Sequence, residues 1–520
     1  MKPFGRSRTD FGPSFTAAEQ SLLRNCQLGR PTRLASQRPK LRNASHAIRG
    51  ELVRFLALGG DESAPVHEKG LDLEGAWIDG ELNLEGASIA TPLVLQNCRF
   101  EQELVLRAAV FAIALDLSGS YVPGIRGDGL VCRGDLFLGG GFEAFARVSL
   151  KGSTVAGDID FTKAALRDHP EGALHLSGSE VGGSVYFRKC QFEGPVYLVG
   201  AHVCRDIDCA DAQFIGTWKD GAQGFSLFLS RARVDGELSF IRTHVSGVNL
   251  ADARVGLLRD EGDTWGERIT LNGFDYKAIA HGSPTGWKMR HHWLKQQKPE
   301  HFGQRDHLDK FCPQPWQHLI RVLQSSGHRE DAIEIGMQYE AHLRSIGKIG
   351  ARAEDSKGHT KFERSVLSGA HSLFGLVAGY GYRPMRVVYW ILGVWLGCAV
   401  LYWWAAIEGV FGPSNPLIFE APAYAHCSSG GSDPSRNWYR CIDLKGEYST
   451  FSPWAYSLDV LLPVVNLRQE DSWGPIIPSP STVAIPGGLV RFVIWVENLF
   501  GWVCSLLLVA TISGFARRRE

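Results

Sequence analysis

Acidic and amide side chains beside two long apolar segments are the residues of this sequence best suited to chemistry. Asp459 lies in an apolar stretch between the two segments, and Glu497 and Asn498 lie within the second segment. Carboxylates inside membrane-spanning segments are costly and commonly mark ion pathways. Asp459, Glu497 and Asn498 are therefore candidate pore-lining residues. The alternatives are surface solvation for Asp459 and a hydrogen-bonded role at a helix end for Glu497.

Histidines cluster in the middle of the chain, at His291, His292, His301 and His307, and form the best lead for a metal site or an enzyme. No carboxylate at the spacing of a known site accompanies them, so the pattern favours a solvated linker. The sequence therefore assigns no catalytic residue and no metal ligand. No cofactor is expected either.

The eleven cysteines are scattered without a CxxC pair, which argues against a zinc ribbon or a thioredoxin-like motif. Cys427 and Cys441 lie in the stretch expected to face the oxidising side of a membrane, so they are a candidate disulfide. Cys209 falls in an apolar column of the repeat described below. That placement leaves Cys204 without a partner facing the same way, so a metal pair is not expected there.

The charge balance limits the kind of partner. Lys and Arg total 55 and Asp and Glu total 55, so the chain has no overall basic field and general nucleic-acid binding is not expected. The first thirty residues carry arginines but no continuous apolar stretch. This pattern predicts no secretory signal and a cytoplasmic N-terminus.

The elements that must position these residues begin with an eleven-residue repeat that runs from Leu71 to about Val122. Leucines two residues apart recur in each repeat, and such pairs lie on one face of a strand. The leucine columns are Leu71, Leu82, Leu93, Leu104 and Leu115, and Leu73, Leu84, Leu95, Leu106 and Leu117. A third apolar column is Ile78, Ile89, Phe100, Phe111 and Val122, and a turn position that tolerates positive φ holds Gly75, Gly86, Asn97 and Gly119.

The repeat loses its register near Pro123, resumes at Leu174 and fades toward Ile269, so the repeat domain is assigned to residues 71–280. Strands this short are stable only when neighbouring repeats stack into one core. The predicted fold class is mainly β: a right-handed parallel β-solenoid, followed by an α-helical hairpin and two transmembrane helices. Two repeats in each coil would give about nine coils.

Helical segments are expected on both sides of the repeats. Residues 1–70 are assigned to a tail and capping helices, because Ile48, Leu52, Phe55 and Leu56 follow helical spacing. Residues 281–350 are assigned to a linker and a hairpin that resembles a tetratricopeptide unit, with Gly327 between its helices. The first helix carries Trp316, Leu319, Ile320 and Leu323, and the second carries Ala332, Ile335, Gly336, Tyr339 and Leu343.

Residues 387–406 and 492–515 form two apolar segments that are long enough to cross a bilayer. Aromatic residues flank the first segment at Tyr389 and Trp390 and at Tyr402, Trp403 and Trp404, as is typical of a membrane interface. Arg383 and Arg386 precede the first segment, and Arg517, Arg518 and Arg519 follow the second. The positive-inside rule therefore predicts a multi-pass protein of the cell inner (plasma) membrane with both termini and the solenoid in the cytoplasm.

This topology assigns residues 407–490 to an extracytoplasmic loop, with a candidate re-entrant segment at 451–475. Residues 351–386 are assigned to an interfacial amphipathic segment, whose apolar stripe would lie along the inner leaflet. A soluble helix packed on the hairpin is the alternative for that segment.

The run ENLFGWVCSLLLVATISGFARR, which begins at Glu497, resembles the inner helix of two-helix ion channels, and Gly501 would serve as its bend. No TVGYG-like run is present, so a potassium-selective filter is not expected. With its repeats and the runs GYGYRPMR and YSLDVLLPVVNL, the chain resembles bacterial membrane-anchored β-solenoid proteins of the pentapeptide-repeat kind. That group is often labelled membrane-associated oxidoreductase, which implies a redox function that no GxGxxG, CxxCH or cysteine cluster of this sequence supports.

Three functions are consistent with these features. The expected one is an integral membrane protein that presents a cytoplasmic solenoid as a structural, sensory or partner-binding surface. An oligomeric, ion-channel-like pore and a membrane-associated oxidoreductase are the alternatives. The expected partners are the lipid bilayer, a cytoplasmic protein on the solenoid and further copies of the chain.

Overall fold

The structure is a computed structural model of the chain. It describes residues 7–12, 14–167, 172–216, 224–262, 264–297, 311–346, 361–428, 436–446, 448–477 and 484–517. The chain divides into two compact units, Met1–Ile335 and Gly336–Glu520. The first unit contains the repeats and the second contains the long apolar segments.

Short strands build most of the first unit. In chain order they are β1 (Thr32–Arg33), β2 (Ala47–Arg49), β3 (Gly60–Asp61), β4 (Ala64–Pro65), β5 (Leu71–Glu74), β6 (Trp77–Asp79), β7 (Ser88–Ile89), β8 (Leu93–Gln96), β9 (Arg99–Phe100), β10 (Leu104–Val105), β11 (Val110–Phe111), β12 (Leu115–Asp116), β13 (Tyr121–Val122), β14 (Ile125–Arg126), β15 (Val131–Cys132), β16 (Leu136–Phe137), β17 (Glu143–Ala144) and β18 (Val148–Ser149). They continue as β19 (Thr154–Val155), β20 (Ile159–Asp160), β21 (Ala165–Leu166), β22 (Leu174–His175), β23 (Glu180–Val181), β24 (Val185–Tyr186), β25 (Gln191–Phe192), β26 (Val196–Tyr197), β27 (His202–Val203), β28 (Ile207–Asp208), β29 (Gln213–Phe214), β30 (Leu227–Phe228), β31 (Arg233–Ser239), β32 (His244–Val245), β33 (Gly247–Asn249), β34 (Arg254–Arg259), β35 (Arg268–Thr270) and β36 (Asp275–Ile279). The helices are α1 (Ala17–Leu28), α2 (Gly50–Ala57), α3 (Trp287–Lys295), α4 (Gln314–Ser325) and α5 (Arg329–Ser345), which crosses into the second unit.

The strands stack in parallel ladders and form a β-solenoid of about nine turns. Leu71 pairs with Leu93, and Leu93 pairs with Leu115, so each coil takes two eleven-residue repeats, as predicted. A coil contributes four short strands to four ladders, for example β11, β12, β13 and β14. Each strand is too short to be stable alone, so the backbone hydrogen bonds between coils hold the fold together.

The predicted columns form the core of the solenoid. Every leucine in the two leucine columns is at most 1% exposed, and every residue of the third column is at most 2% exposed. Gly75, Gly86, Asn97 and Gly119 have positive φ at the predicted corners. Ala108 adopts positive φ at the same position of its repeat, a strained conformation for a residue with a Cβ.

The solenoid continues where the sequence loses its register. Leu104 pairs with Ile125, Ile125 with Val148, and Val148 with Leu174, at offsets of 21, 23 and 26 residues instead of 22. The loss of sequence register expected near Pro123 is confirmed, and the strands pair through it. Insertions and deletions at the corners shift the sequence register, whereas the strands still pair with the next coil.

The N-terminal segment joins the first coils directly. Ile48 lies in β2 and pairs with Ile78 of β6, so its assignment to a capping helix was wrong, and the helix α2 begins two residues later. Glu19 of α1 is buried and its carboxylate accepts hydrogen bonds from the Arg49 guanidinium, with Oε1 2.7 Å from Nε. This ion pair ties α1 to the strand that begins the stack.

Helices α3 and α4 close the other end of the solenoid. Arg290 of α3 is fully buried and donates two hydrogen bonds of 2.7 Å to Asp260, which also accepts one from Trp265 Nε1. His318 of α4 lies 3.1 Å from the backbone nitrogen of Tyr276 in β36. Helices α4 and α5 lie where the hairpin was predicted, with Gly327 at φ 85° between them.

The second unit contains helices and one small sheet. Its elements are α6 (Lys361–Ala378), α7 (Met385–Ile407), β37 (Phe411–Pro413), α8 (Pro416–Phe419), α9 (Pro453–Leu461), α10 (Gln469–Ser472), β38 (Trp473–Pro475) and α11 (Gly487–Arg517). β37 and β38 pair antiparallel. α7 and, in α11, residues Gly487–Ala510 are long and apolar enough to cross a membrane.

A polar residue on the inward face of the solenoid should be far less tolerable than one on the outward face. Leu95 is fully buried and Val94 beside it points outward. Leu95→Asn should cost about 3–6 kcal/mol, because it leaves a cavity and an unpaired amide in the core. Val94→Asn is the matched control and should cost under about 1 kcal/mol. Circular dichroism during chemical denaturation of the full chain measures the free energy of unfolding of both variants. An equal loss of stability in the two variants would mean that the assigned faces are wrong.

Candidate functional site

Three helices of the second unit, α7, α9 and α11, pack against one another. α9 is the short member, and its ends are set by local sequence. The Ser452 hydroxyl accepts a hydrogen bond from the Ala455 N–H, and Pro453 occupies the first turn, where its missing N–H costs nothing. The helix ends at Leu461, just before the residue that precedes Pro463, because a proline disfavours helical backbone at the preceding position.

The carboxyl group of Glu497 lies where the three helices meet. Glu497 is 1% exposed and lies inside α11, not at a helix end as the alternative interpretation expected. Its Oε2 accepts a hydrogen bond from the Tyr402 hydroxyl of α7 at 2.5 Å. Its Oε1 lies 2.5 Å from Ser457 Oγ of α9, and that Oγ lies 3.0 Å from the carbonyl oxygen of Trp395. One carboxyl group therefore links all three helices.

Two further contacts hold α9 in place. The indole Nε1 of Trp395 donates a hydrogen bond of 2.9 Å to the backbone carbonyl of Trp454. Gly501 of α11 contacts the backbone at Leu461, where a Cβ would overlap the carbonyl oxygen. α11 continues through Gly501 as one helix, and the bend expected there stays a prediction. The glycine permits close approach of α9.

Asp459 organises the loop that follows α9. Its Oδ1 accepts a hydrogen bond from the Leu467 N–H at 2.5 Å, and its Oδ2 accepts bonds from the N–H groups of Gln469 and Glu470 at 2.8 and 3.0 Å. The residue is half-buried. The carboxylate is therefore engaged by the backbone and is not simply solvated.

An open cavity of about 210 Å³ adjoins this loop, and its lining includes Asp459, Glu470, Asp471 and Asn498. Burial, together with the negative charges of Asp459 and Asp471, raises the pKa of the Glu470 carboxyl above its usual value. Asp459 and Asn498 thus share one cavity, whereas Glu497 is enclosed by α7 and α9. The three candidate pore-lining residues do not face one common surface.

Sequence reasoning found Glu497 but missed its partners. Tyr402 was assigned to the aromatic belt, yet it is fully buried, while Trp403 and Trp404 beside it are exposed. Ser457 is also fully buried. The rotation of α7 about its own axis determines which of its aromatic side chains faces α11. Because α7 is apolar on all sides, its sequence does not predict that rotation.

The segment between the long helices contains a second polar cluster. The structure joins Cys427 and Cys441 in a disulfide. Next to it, His426 Nε2 lies 2.9 Å from Asp443 Oδ2 and 3.5 Å from Cys427 Sγ. The disulfide occupies both sulfur atoms, so the cluster is a covalent link with a hydrogen-bonded histidine beside it.

A third cluster lies on the solenoid, where Cys204 was expected to have no partner facing the same way, and that expectation was wrong. His202 and Cys204 are close to Asp235 of the next coil, with His202 Nε2 2.9 Å from Asp235 Oδ2. The Arg233 guanidinium binds the other oxygen of Asp235 at 2.7 Å. Cys204 therefore faces a histidine and a carboxylate. A correct alignment of this coil with the next one in the sequence would have predicted this contact.

The histidine-rich stretch does not form a site among the described residues. His291 lies on α3 and its ring packs against Trp316, with ring centroids 5.6 Å apart. His292 lies on the same helix. His301 and His307 lie outside the described residues.

No protein-family model, no curated protein and no solved structure matches the chain. The resemblances to pentapeptide-repeat proteins, to two-helix ion channels and to membrane-associated oxidoreductases therefore gain no support from the comparisons. The class shown by the fold is a parallel β-solenoid followed by helices, two of which could cross a membrane.

The contact between Gly501 and α9 provides a test of this arrangement. Gly501→Ala should destabilise the folded protein by about 1–3 kcal/mol, because the added methyl group overlaps the Leu461 carbonyl. Gly397→Ala in α7 is the matched control, since a Cβ there meets no atom within 4 Å, and it should be neutral or slightly stabilising. Thermal unfolding of detergent-solubilised protein measures both. Equal melting temperatures for the two variants would contradict the packing of α9 on α11.

Proposed function

We propose that the protein is a membrane-anchored binding platform, in which α7 and α11 span a bilayer and the solenoid binds a soluble partner. The exposed apolar surface of α7 and α11 is the observation that carries the anchor. Only 22% of each candidate span is buried, whereas the core helix of a soluble protein would be mostly buried. The exposed side chains include Trp390, Leu396, Trp403, Trp404, Phe492, Trp495, Leu499, Trp502, Leu506 and Val509.

The proposed orientation puts both termini and the solenoid in the cytoplasm. Arg383 and Arg386 lie at the start of α7, and arginines at 517–519 follow the second span, so the positive-inside rule supports this orientation. The segment between the spans is then outside, where an oxidising environment supports the disulfide between Cys427 and Cys441. The membrane would be the cell inner (plasma) membrane.

α6 supports an interfacial position. Val366, Leu367, Leu373 and Leu376 are all exposed, although α6 also contacts α5 of the hairpin, where His371 Nε2 lies 3.4 Å from Glu340 Oε2. Long apolar side chains on one face of a helix are stable at the boundary between head groups and acyl chains. We propose that α6 lies along the inner leaflet before the chain enters the bilayer.

A groove of about 500 Å³ on the solenoid supports partner binding. It runs across the outward face of β24, β28, β31 and β34, where a register shift between Val234 and Glu237 disrupts the regular ladder. Its polar side chains are Tyr186, Arg188, Asp206, Asp208, Asp235 and Glu237. Arg188 binds Asp208 at 2.6 Å and the other charged lining residues are acidic, so the groove is net negative and suits a basic protein segment better than a polyanion.

The geometry favours an anchor over a pore. A pore between copies of the chain needs polar groups on an exposed face of the helices, and Glu497 is buried within a single copy. Asp459 is held by backbone N–H groups of its own loop. No cluster among the described residues favours an oxidoreductase.

Site-specific photocrosslinking in intact cells tests the platform. A photoreactive phenylalanine analogue at Tyr186 in the groove should give one discrete adduct with a soluble protein. The same analogue at Thr154, an exposed position of β19 outside the groove, is the matched control and should give none. No adduct from Tyr186, or equal adducts from the two positions, would contradict a binding role for the groove.

A further inference from the structure

The hydrogen atoms around Glu497 determine its charge. Ser457 Oγ has one hydrogen but lies beside two acceptors, Glu497 Oε1 at 2.5 Å and the Trp395 carbonyl oxygen at 3.0 Å. If Ser457 donates to Trp395, the hydrogen between Ser457 and Glu497 must belong to Glu497. Tyr402 O–H donates to the other carboxyl oxygen at 2.5 Å. A neutral carboxylic acid therefore satisfies every short oxygen contact with one hydrogen each.

The surroundings of Glu497 do not favour the ionised form. The titratable groups that face it are Tyr402 and Cys398 on α7, Tyr456 on α9 and, at longer range, Glu470 in α10. None of these is a cation, and an isolated buried carboxylate is costly unless it is paired. Oxygen atoms 2.5 Å apart leave room for a hydrogen but not for a metal ion, whose oxygen ligands lie about 2 Å or more from the ion itself.

We propose that Glu497 is a proton-binding site, protonated at Oε1 in this conformation, and that loss of this proton loosens α9 from α7. The acid donates its hydrogen to Ser457, which donates in turn to Trp395. On ionisation the proton passes to water, Ser457 turns its hydrogen toward the carboxylate, and its hydrogen bond to α7 is lost. The nearby acidic cavity with Glu470 lies on the side of the segment between the spans. In the proposed orientation, the site would sense protons outside the cell.

Infrared spectroscopy of the full-length protein in lipid nanodiscs tests the proposal directly. The wild type at neutral pH should show the carbonyl stretch of a protonated carboxylic acid, and Glu497→Gln should lack this band. Tyr402→Phe should shift the band to higher frequency, because the carbonyl oxygen loses its hydrogen-bond donor. Glu470→Gln and Asp459→Asn are controls that should leave the band in place. A band that is absent from the folded wild type, or that disappears in Glu470→Gln and persists in Glu497→Gln, overturns the proposal.

Thermal unfolding gives a second readout that does not depend on band assignment. Glutamates of an unfolded chain are ionised at neutral pH, so a folded state that retains the proton loses stability as the pH rises. The wild type should therefore melt at lower temperature in alkaline buffer than at neutral pH. Glu497→Gln mimics the neutral acid, since its amide can donate to Ser457, and should melt with a smaller pH dependence than the wild type. An identical pH dependence in both proteins would contradict the proposal.

Discussion

Polar groups that are removed from water must find hydrogen-bond partners, and this constraint shapes both units of the protein. In the solenoid, each two-residue strand satisfies its backbone only by pairing with the coils before and after it. In the helical unit, the backbone groups form hydrogen bonds within each helix, and it is the buried carboxyl group of Glu497 that needs hydrogen-bond partners from other helices. Tyr402 and Ser457 supply them, and as a consequence three helices are fixed to one another.

The C-terminal end of the solenoid shows the same constraint. Asp260 and Arg290 are fully buried, and each is stable there because the other supplies the opposite charge and hydrogen bonds. The indole N–H of Trp265 donates a further hydrogen bond to the Asp260 carboxylate. Removing one partner would leave an uncompensated charge in the core. The terminal coil is thereby closed by α3 with a specific fit instead of an exposed strand edge, which would be open to pairing with another chain.

The sequence predicted the solenoid because its repeat places leucines at fixed positions, and periodicity reports directly on burial. The sequence lost its regular columns between Pro123 and Leu174, as predicted, because changes in corner length displaced them without interrupting the pairing of strands. It also assigned Ile48 to a helix, because a buried strand residue next to a helix fits helical spacing by chance. Local patterns carry no information about pairing with a distant strand.

The candidate site was predicted only in part. A carboxylate in an apolar segment is costly wherever it lies, so Glu497 could be found from the sequence alone. Its partners could not, because Tyr402 is one of several aromatic residues whose direction depends on helix packing. The role of Gly501 also could not be predicted from the sequence, since a glycine in a helix can permit a bend or a close contact. The close contact becomes visible only when the structure places Leu461 against Gly501.

If two helices cross a bilayer as proposed, the solenoid and the segment between the spans lie on opposite sides. Cys204 is an exposed cysteine of the solenoid, and Thr450 is an exposed residue of the intervening segment. Labelling of intact cells with a membrane-impermeant thiol reagent compares the two positions in one protein, with Cys204→Ser as the control for the native thiol. The account predicts that Thr450→Cys reacts in intact cells and that Cys204 reacts only after the membrane is opened. Reaction of both thiols from the same side would contradict it.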